Sequence, residues 1–211
     1  MLESKREPLR LMVFDLDGTL VTGPDVSAII VKSLGYGSRL AELEPLPKGD
    51  EAGRRRQVDQ IASWLHGRSI EELTSPLAQC VLAPGTEAAF ALLHAHGVET
   101  AIASFQWEFA VGWFAKKLGI QRTLGTVLHG NGTVTLISAE EKGRWVQGLI
   151  KERSLDVGQA GAVGDSWRDV PMLSAVGHAF YVGPQLPPEL AHVHHHPDGD
   201  MLRIAQTVLR L

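Results

Sequence analysis

Two kinds of pattern take turns along this chain. Short runs of purely apolar residues alternate with stretches whose apolar residues recur every three or four positions. Leu11–Phe14 (LMVF) has no polar face, which predicts a strand buried on both sides and running into Asp15-Leu16-Asp17-Gly18. From Asp25 the period changes. Ala28, Ile29, Val31 and Leu34 predict one amphipathic helix, and Val58, Ile61 and Leu65 predict another. Ser69 with Glu71 and Glu72 reads as a third helix start. No strand is predicted from Asp25 to Cys80.

After Pro84-Gly85 the alternation resumes. A helix is expected over Thr86–His96, closed by Gly97, then a strand over Val98–Ser104 and a helix over Gln106–Leu118, closed by Gly119. Asn131-Gly132, between β-branched runs, predicts a hairpin turn within Thr126–Thr135. A helix over Ala139–Arg153, a strand over Ala160–Val163, a helix over Val170–Ala175 and a strand over His178–Val182 follow. Apolar strands alternating with amphipathic helices predict an α/β fold: a Rossmann-like parallel sheet core with helices on both faces. The core is expected to comprise residues 1–21 and 83–211. Residues 22–82 are expected to form a small all-helical cap inserted after the first strand.

Composition narrows the function classes. The chain has 211 residues, 44% hydrophobic and 21% charged, as a globular protein has. A net charge of -4 gives no basic footprint for nucleic acid. No apolar run is long enough for a bilayer, and the start MLESKREPLR lacks the apolar centre of a signal peptide. Cys80 is the single cysteine, so no internal disulfide can form. These features lead us to expect a cytoplasmic protein with neither nucleic acid nor membrane as partner.

The polar residues at strand ends carry the chemistry. Asp15 and Asp17 follow the first strand, Ser104 ends the second, and Asp165 ends a later one with Asp169 four residues on. Ligands of open parallel sheets bind at the carboxyl ends of the strands, so these groups should converge, with Lys142 arriving from a helix. Clustered buried carboxylates repel one another unless a cation cancels their charge. Mg²⁺ suits that task, because it takes one or two carboxylates together with waters and phosphate oxygens. Gly18 allows a tight turn whose backbone N–H groups can cradle an anion.

DLDGTLV, a strand ending in Ser104, Lys142-Gly143 and GDSWRDVPML, in that order, resemble the motifs of the haloacid dehalogenase superfamily. The resemblance runs from about Leu11 to Val182. SFQWEFAVGWFAKKLGI and the small helical insert (a C1-type cap) are most similar to the phosphoserine phosphatase-like branch. It implies a Mg²⁺-dependent phosphomonoester hydrolase acting on a small phosphorylated metabolite through an aspartyl-phosphate. Asp15 would be the nucleophile and Asp17 the general acid and then base. Ser104, Gly18, Phe105 and Lys142 would bind the phosphoryl group. Asp15, Asp165 and the Asp17 carbonyl would hold Mg²⁺, with Asp169 a ligand or a support. A phosphoserine phosphatase proper and a phosphotransferase or phosphomutase are the alternatives with the same machinery. A non-catalytic phospho-ligand binding protein is the rival of another class.

The resemblance also has gaps. The branch reads an amino-acid substrate with a cap glutamate and a cap arginine, and here those places fall on Pro24 and near Ile61. Asp25 reads first as a helix N-cap, and Arg54 first as part of a solvated basic patch with Arg55 and Arg56. Phe105 and Gln106 stand where glycines are common, and Arg168 where asparagine is common. Asp25, Arg54, Gln106 and Arg168 are therefore the candidates for substrate specificity. L-phosphoserine is not expected to be the preferred substrate. His192, His194, His195 and His196 read as an exposed loop that binds metals only adventitiously. Trp113 and Phe114 read as core, and Trp107 lies between core and site.

Overall fold

A computed structural model describes residues 8–190 and 193–210 of the chain. In chain order the elements begin with β1 (Leu11–Phe14), β2 (Val21–Thr22), α1 (Val26–Ser33), α2 (Gly37–Ala41), α3 (Glu51–Leu65), α4 (Ile70–Thr74) and β3 (Val81–Leu82). They continue with α5 (Thr86–Ala95), β4 (Glu99–Trp107), α6 (Glu108–Leu118), β5 (Arg122–Leu128), β6 (Val134–Thr135) and α7 (Ala139–Glu152). The last are β7 (Ala160–Gly164), α8 (Val170–Leu173), β8 (His178–Tyr181), β9 (His194–His195) and α9 (Met201–Val208).

Among the described residues, seven strands form one sheet in the order β6-β5-β4-β1-β7-β8-β9. All neighbours are parallel except the β5–β6 hairpin. The chain builds outward from β1 through β4 and β5, then crosses over to build β7 and β8 on the other side. That reversal makes the carboxyl end of β1 the switch point of the sheet.

The period-2 pattern of β1 explains how both faces are covered. Met12 and Phe14 belong to the apolar cluster that includes Phe90 of α5, Phe114 of α6 and Ile204 of α9. Leu11 and Val13 belong to the opposite cluster, with Val146 and Leu149 of α7 and Met172 of α8. Between β2 and β3, which pair antiparallel as a narrow two-stranded neck, α1 to α4 are helical. Ile30, Leu65 and Leu77 are buried in this stretch, and Tyr36 stacks on Trp64 with ring centroids 5.4 Å apart. Asp25, Asp50 and Ser69 cap α1, α3 and α4 through side-chain bonds to backbone N–H groups.

Several details differ from the sequence reading. β4 runs on to Trp107, so α6 starts at Glu108 and not at Gln106. The register of β4 against β5 shifts between Ala103 and Trp107, a bulge that keeps the strand paired while it bends past the site. β2, β3 and β9 were not expected. His194 and His195 are an edge strand parallel to β8, not a loop, and His195 Nε2 lies 2.8 Å from the Gly183 carbonyl oxygen. His192 lies outside the described residues. Trp107 is buried and stacks on Phe109, so it belongs to the core.

Candidate active site

Asp15 is the first residue beyond β1, and its N–H donates to the Val163 carbonyl on β7 at 2.9 Å. The chain then turns back tightly: Gly18 N–H bonds the Val21 carbonyl, and Leu20 and Val21 both bond the Leu16 carbonyl. Gly18 has φ +73°, and a Cβ there would lie 2.3 Å from Asp165 Oδ2. Only glycine permits both that conformation and the close approach of Asp165.

Lys142 comes from the first turn of α7. Ser138 and Glu141 form a reciprocal capping box that fixes this turn. Gly143 lets the helix press on α8; a Cβ there would sit 2.8 Å from the Pro171 carbonyl oxygen. Lys142 is therefore fully buried, and its Nζ donates to Asp15 Oδ1 at 2.8 Å and to Asp169 Oδ1 at 2.6 Å. The other oxygen of Asp169 accepts from the N–H groups of Asp165 and Ser166 and from the Ser166 hydroxyl. Asp169 is thus committed on both oxygens, and it holds both Lys142 and the turn after β7.

Oxygens of Asp15, Asp165 and Asp169 all lie within 4.8 Å of one another. Burial pushes Asp15 up to about 7 against the pull of Lys142, with the charges of Asp169 and Asp165 adding to the rise. Burial and the Asp169 charge push Asp165 up to about 6. Burial works against a charged Lys142, but Asp15 and Asp169 outweigh it and raise its pKa. Three carboxylates facing one ammonium leave negative charge unmatched, and hard oxygen donors in that arrangement suit a divalent cation.

The Asp17 carboxylate stands apart from that cluster. Its Oδ1 accepts from the Val26 N–H at 2.9 Å, and its Oδ2 accepts from Gln106 Nε2. Gln106 Nε2 also donates to Asp25 Oδ2 at 3.0 Å, and Gln106 Oε1 accepts from the Ser27 hydroxyl at 2.6 Å. Burial, and then the charge of Asp25, push Asp17 up to about 8. Gln106, on the bulge of β4, therefore joins the loop after β1 to the start of α1. Ser104 is buried on the same bulge, and its Oγ accepts from the Gln106 N–H at 3.2 Å.

Arg54 corrects the sequence reading. It is only 7% exposed and is not part of a solvated patch. Its guanidinium lies 4.6 Å from the centroid of Phe105, which also has Lys142 Nζ at 5.0 Å and the Arg168 guanidinium at 5.5 Å. Arg55 and Arg56 are exposed, and one helical face separates them from Arg54. Asp25 does cap α1, through Ala28 N–H, but it also meets Gln106 beside Asp17. Ser27, Glu51 and Ser166 were not legible as site neighbours, since a serine or glutamate near a helix start is ordinary capping material.

The profile of haloacid dehalogenase-like hydrolases matches residues 12–174. The chain belongs to that family. The chain is 26% identical over 175 residues to a phosphoserine phosphatase of Archaeoglobus fulgidus, a match that covers 80% of the chain and 51% of that protein. The chain thus spans about half the length of that relative. Against a phosphoserine phosphatase of Lactococcus lactis the chain is 24% identical over 210 residues, covering 95% of the chain and 96% of the relative. Its fold is similar to that of a phospho-aspartyl intermediate analogue of phosphoserine phosphatase, with a TM-score of 0.76, 21% identity and coverage of 95% and 99%. No helix among the described residues is long and apolar enough to cross a membrane.

Proposed function

We propose that this hydrolase cleaves the phosphomonoester of a small phosphorylated metabolite, with Asp15 as nucleophile and Mg²⁺ as the resident cation. The observation that carries the reading is the buried Lys142 clamped between Asp15 and Asp169 at the switch point of the sheet. Asp15 is held for in-line attack by Lys142, which is also in place to neutralise the incoming phosphoryl oxygens. The attack forms an aspartyl-phosphate and releases the alcohol. Asp17, raised to about 8, is protonated at neutral pH and gives its proton to the leaving oxygen; as a carboxylate it then takes one from the attacking water. The Ser104 hydroxyl orients the phosphoryl oxygens, and Gly18 serves by its tight turn, since the N–H groups from Gly18 to Val21 are already bonded within the loop. Asp15 and Asp165, with the Asp17 carbonyl, would hold the cation, and Asp169 supports from behind because its oxygens are already used. When bound, the cation supplies charge neutralisation to the phosphoryl group and the carboxylates.

Residues 22–82 form the cap in this reading, and Gln106 links it to the general acid through Ser27 and Asp25. The preferred ester is not L-phosphoserine, since Pro24 stands where the branch places its ammonium-binding glutamate. A cytoplasmic setting is part of the proposal and suits a chain with a single cysteine. The test is hydrolysis of p-nitrophenyl phosphate and of alkyl phosphates with Mg²⁺ and with EDTA. Turnover that needs Mg²⁺ and vanishes in Asp15→Asn is expected. Turnover retained by Asp15→Asn would reject the nucleophile.

A further inference from the structure

Two cations on opposite sides of the seam between cap and core face one aromatic ring without an interior acid to match them. Arg54 comes from α3, and Arg168 from the turn after β7. Both guanidinium groups lie against Phe105, at 4.6 and 5.5 Å from its centroid. The same ring is 5.0 Å from Lys142 Nζ, so it borders the phosphoryl pocket. Trp167 continues the apolar floor, with Arg168 at 5.4 Å and Lys48 at 5.2 Å from its centroid.

The available acids do not account for this charge. The partner of Arg54 is Glu51, at 3.3 Å, and the Glu51 side chain is 60% exposed. Glu141 is nearby, but its Oε2 already accepts the Ser138 N–H in the capping box. Arg168 Nε is buried and has no hydrogen-bond partner among the described residues. Burial and the charge of Arg168 lower the pKa of Arg54 and outweigh the opposing pull of Glu51 and Glu141. Leaving a guanidinium donor buried and unbonded is costly, so such an arrangement calls for an anion that arrives from outside.

We infer that the substrate carries a second oxyanion, a carboxylate or a phosphate, which Arg54 and Arg168 grip together while its carbon frame lies on Phe105. This rests on the hydrolase reading and specifies its substrate class: short phosphoesters with an anionic tail and no requirement for an ammonium group. Guanidinium forks match the planar carboxylate and the phosphate alike. Because one arginine belongs to the cap and the other to the core, an anionic tail would also tie the two together over the site.

The test compares esters that share a three-carbon frame. With wild-type protein and Mg²⁺, kcat/KM for 3-phosphoglycerate should exceed that for glycerol 3-phosphate by about tenfold or more, a difference of roughly 1.4 kcal/mol. Arg54→Met and Arg168→Met should each shrink that ratio, mainly through KM, and Arg54→Lys should retain part of it. Calorimetry gives a second readout without turnover: 2-carboxyethylphosphonate and ethane-1,2-bisphosphonate should bind more tightly than propylphosphonate, and their order tells carboxylate from phosphate. If p-nitrophenyl phosphate is not hydrolysed at all, the hydrolase reading fails. Hydrolysis with a ratio near one, a ratio unchanged in both methionine variants, or equal affinity for the three phosphonates overturns the oxyanion site while leaving the hydrolase reading standing. L-phosphoserine exceeding 3-phosphoglycerate by more than about tenfold overturns the purely anionic tail.

Discussion

Lys142 is fully buried and has two carboxylate partners, which sets what its loss should do. Lys142→Met leaves Asp15 and Asp169 facing each other without a counter-charge. Breaking a buried pair in this way costs about 3–5 kcal/mol, to be read from the urea midpoint at neutral pH. The loss should be smaller at pH 5, where Asp15, raised to about 7, is protonated and no longer repels its neighbour. A loss that is the same at both pH values would show that unpaired charge is not its cause. Asp17 makes a different prediction. Asp17→Asn removes the proposed proton donor, so hydrolysis of alkyl phosphates should fall by ~10²–10⁴ while p-nitrophenyl phosphate, whose leaving group needs no proton, suffers much less. Equal losses on both esters would reject the general acid. The strand-end positions of Asp15, Asp17 and Asp165 were legible because each follows an unbroken apolar run. The burial of Lys142 was not, since a helix lysine with polar neighbours reads as solvated unless its partners are known.

Helix α7 owes its place to a single missing side chain. Gly143 packs on the Pro171 carbonyl of the α8 turn, and the helix carries Lys142 in its first turn. Gly143→Ala would force the two elements apart, since a Cβ there would sit 2.8 Å from that oxygen. Overpacking of this kind costs about 1–3 kcal/mol. Lys142 would be drawn back from Asp15, so kcat should drop along with the thermal midpoint. A variant of full activity and full stability would show that the helix tolerates a wider gap. Strand β4 teaches a related point. The apolar stretch Val98–Ser104 predicts the strand but not its end, because Phe105-Gln106-Trp107 suits either a strand or a helix start. Pairing of Trp107 with Thr126 decides for the strand and turns Gln106 toward Asp17.

At the scale of the whole molecule a cation held by the acidic site would couple its binding to stability. Asp15, Asp17 and Asp165 have folded-state values of about 7, 8 and 6 against an ordinary value of 3.8. A carboxyl raised on folding stabilises the protein fully below its unfolded pKa, and that contribution is lost as pH rises through the folded value. The protein in EDTA should therefore lose stability between about pH 4 and pH 8 from these groups. In the proposed site Mg²⁺ would compete with the protons for the oxygens of Asp15 and Asp165, so the rise in thermal midpoint that it produces should grow from pH 5 to pH 8. Asp165→Asn should be more stable than wild type in EDTA at pH 8 and should gain little from Mg²⁺. A Mg²⁺ effect independent of pH would show that the cation does not use these carboxylates.

Sequence alone determined the class of fold and the address of the chemistry. Purely apolar four- and five-residue runs separated by amphipathic helices permit little besides a parallel sheet covered on both faces. In such a sheet, polar residues that follow the runs must gather at one end. These are local periodicities, and they survive without knowledge of any contact. Tertiary structure decided what each side chain faces. Arg54 shares its sequence setting with Arg55 and Arg56, yet Arg54 alone is buried against Phe105, because packing across the seam selects one face of α3. Arg168, Gln106 and the β9 histidines were likewise placed by pairings between segments far apart in the chain. Burial and partnership of a polar group depend on which surfaces meet. A one-dimensional pattern encodes the surfaces, but the meeting is fixed only when the sheet closes and the helices between β2 and β3 fold down beside it.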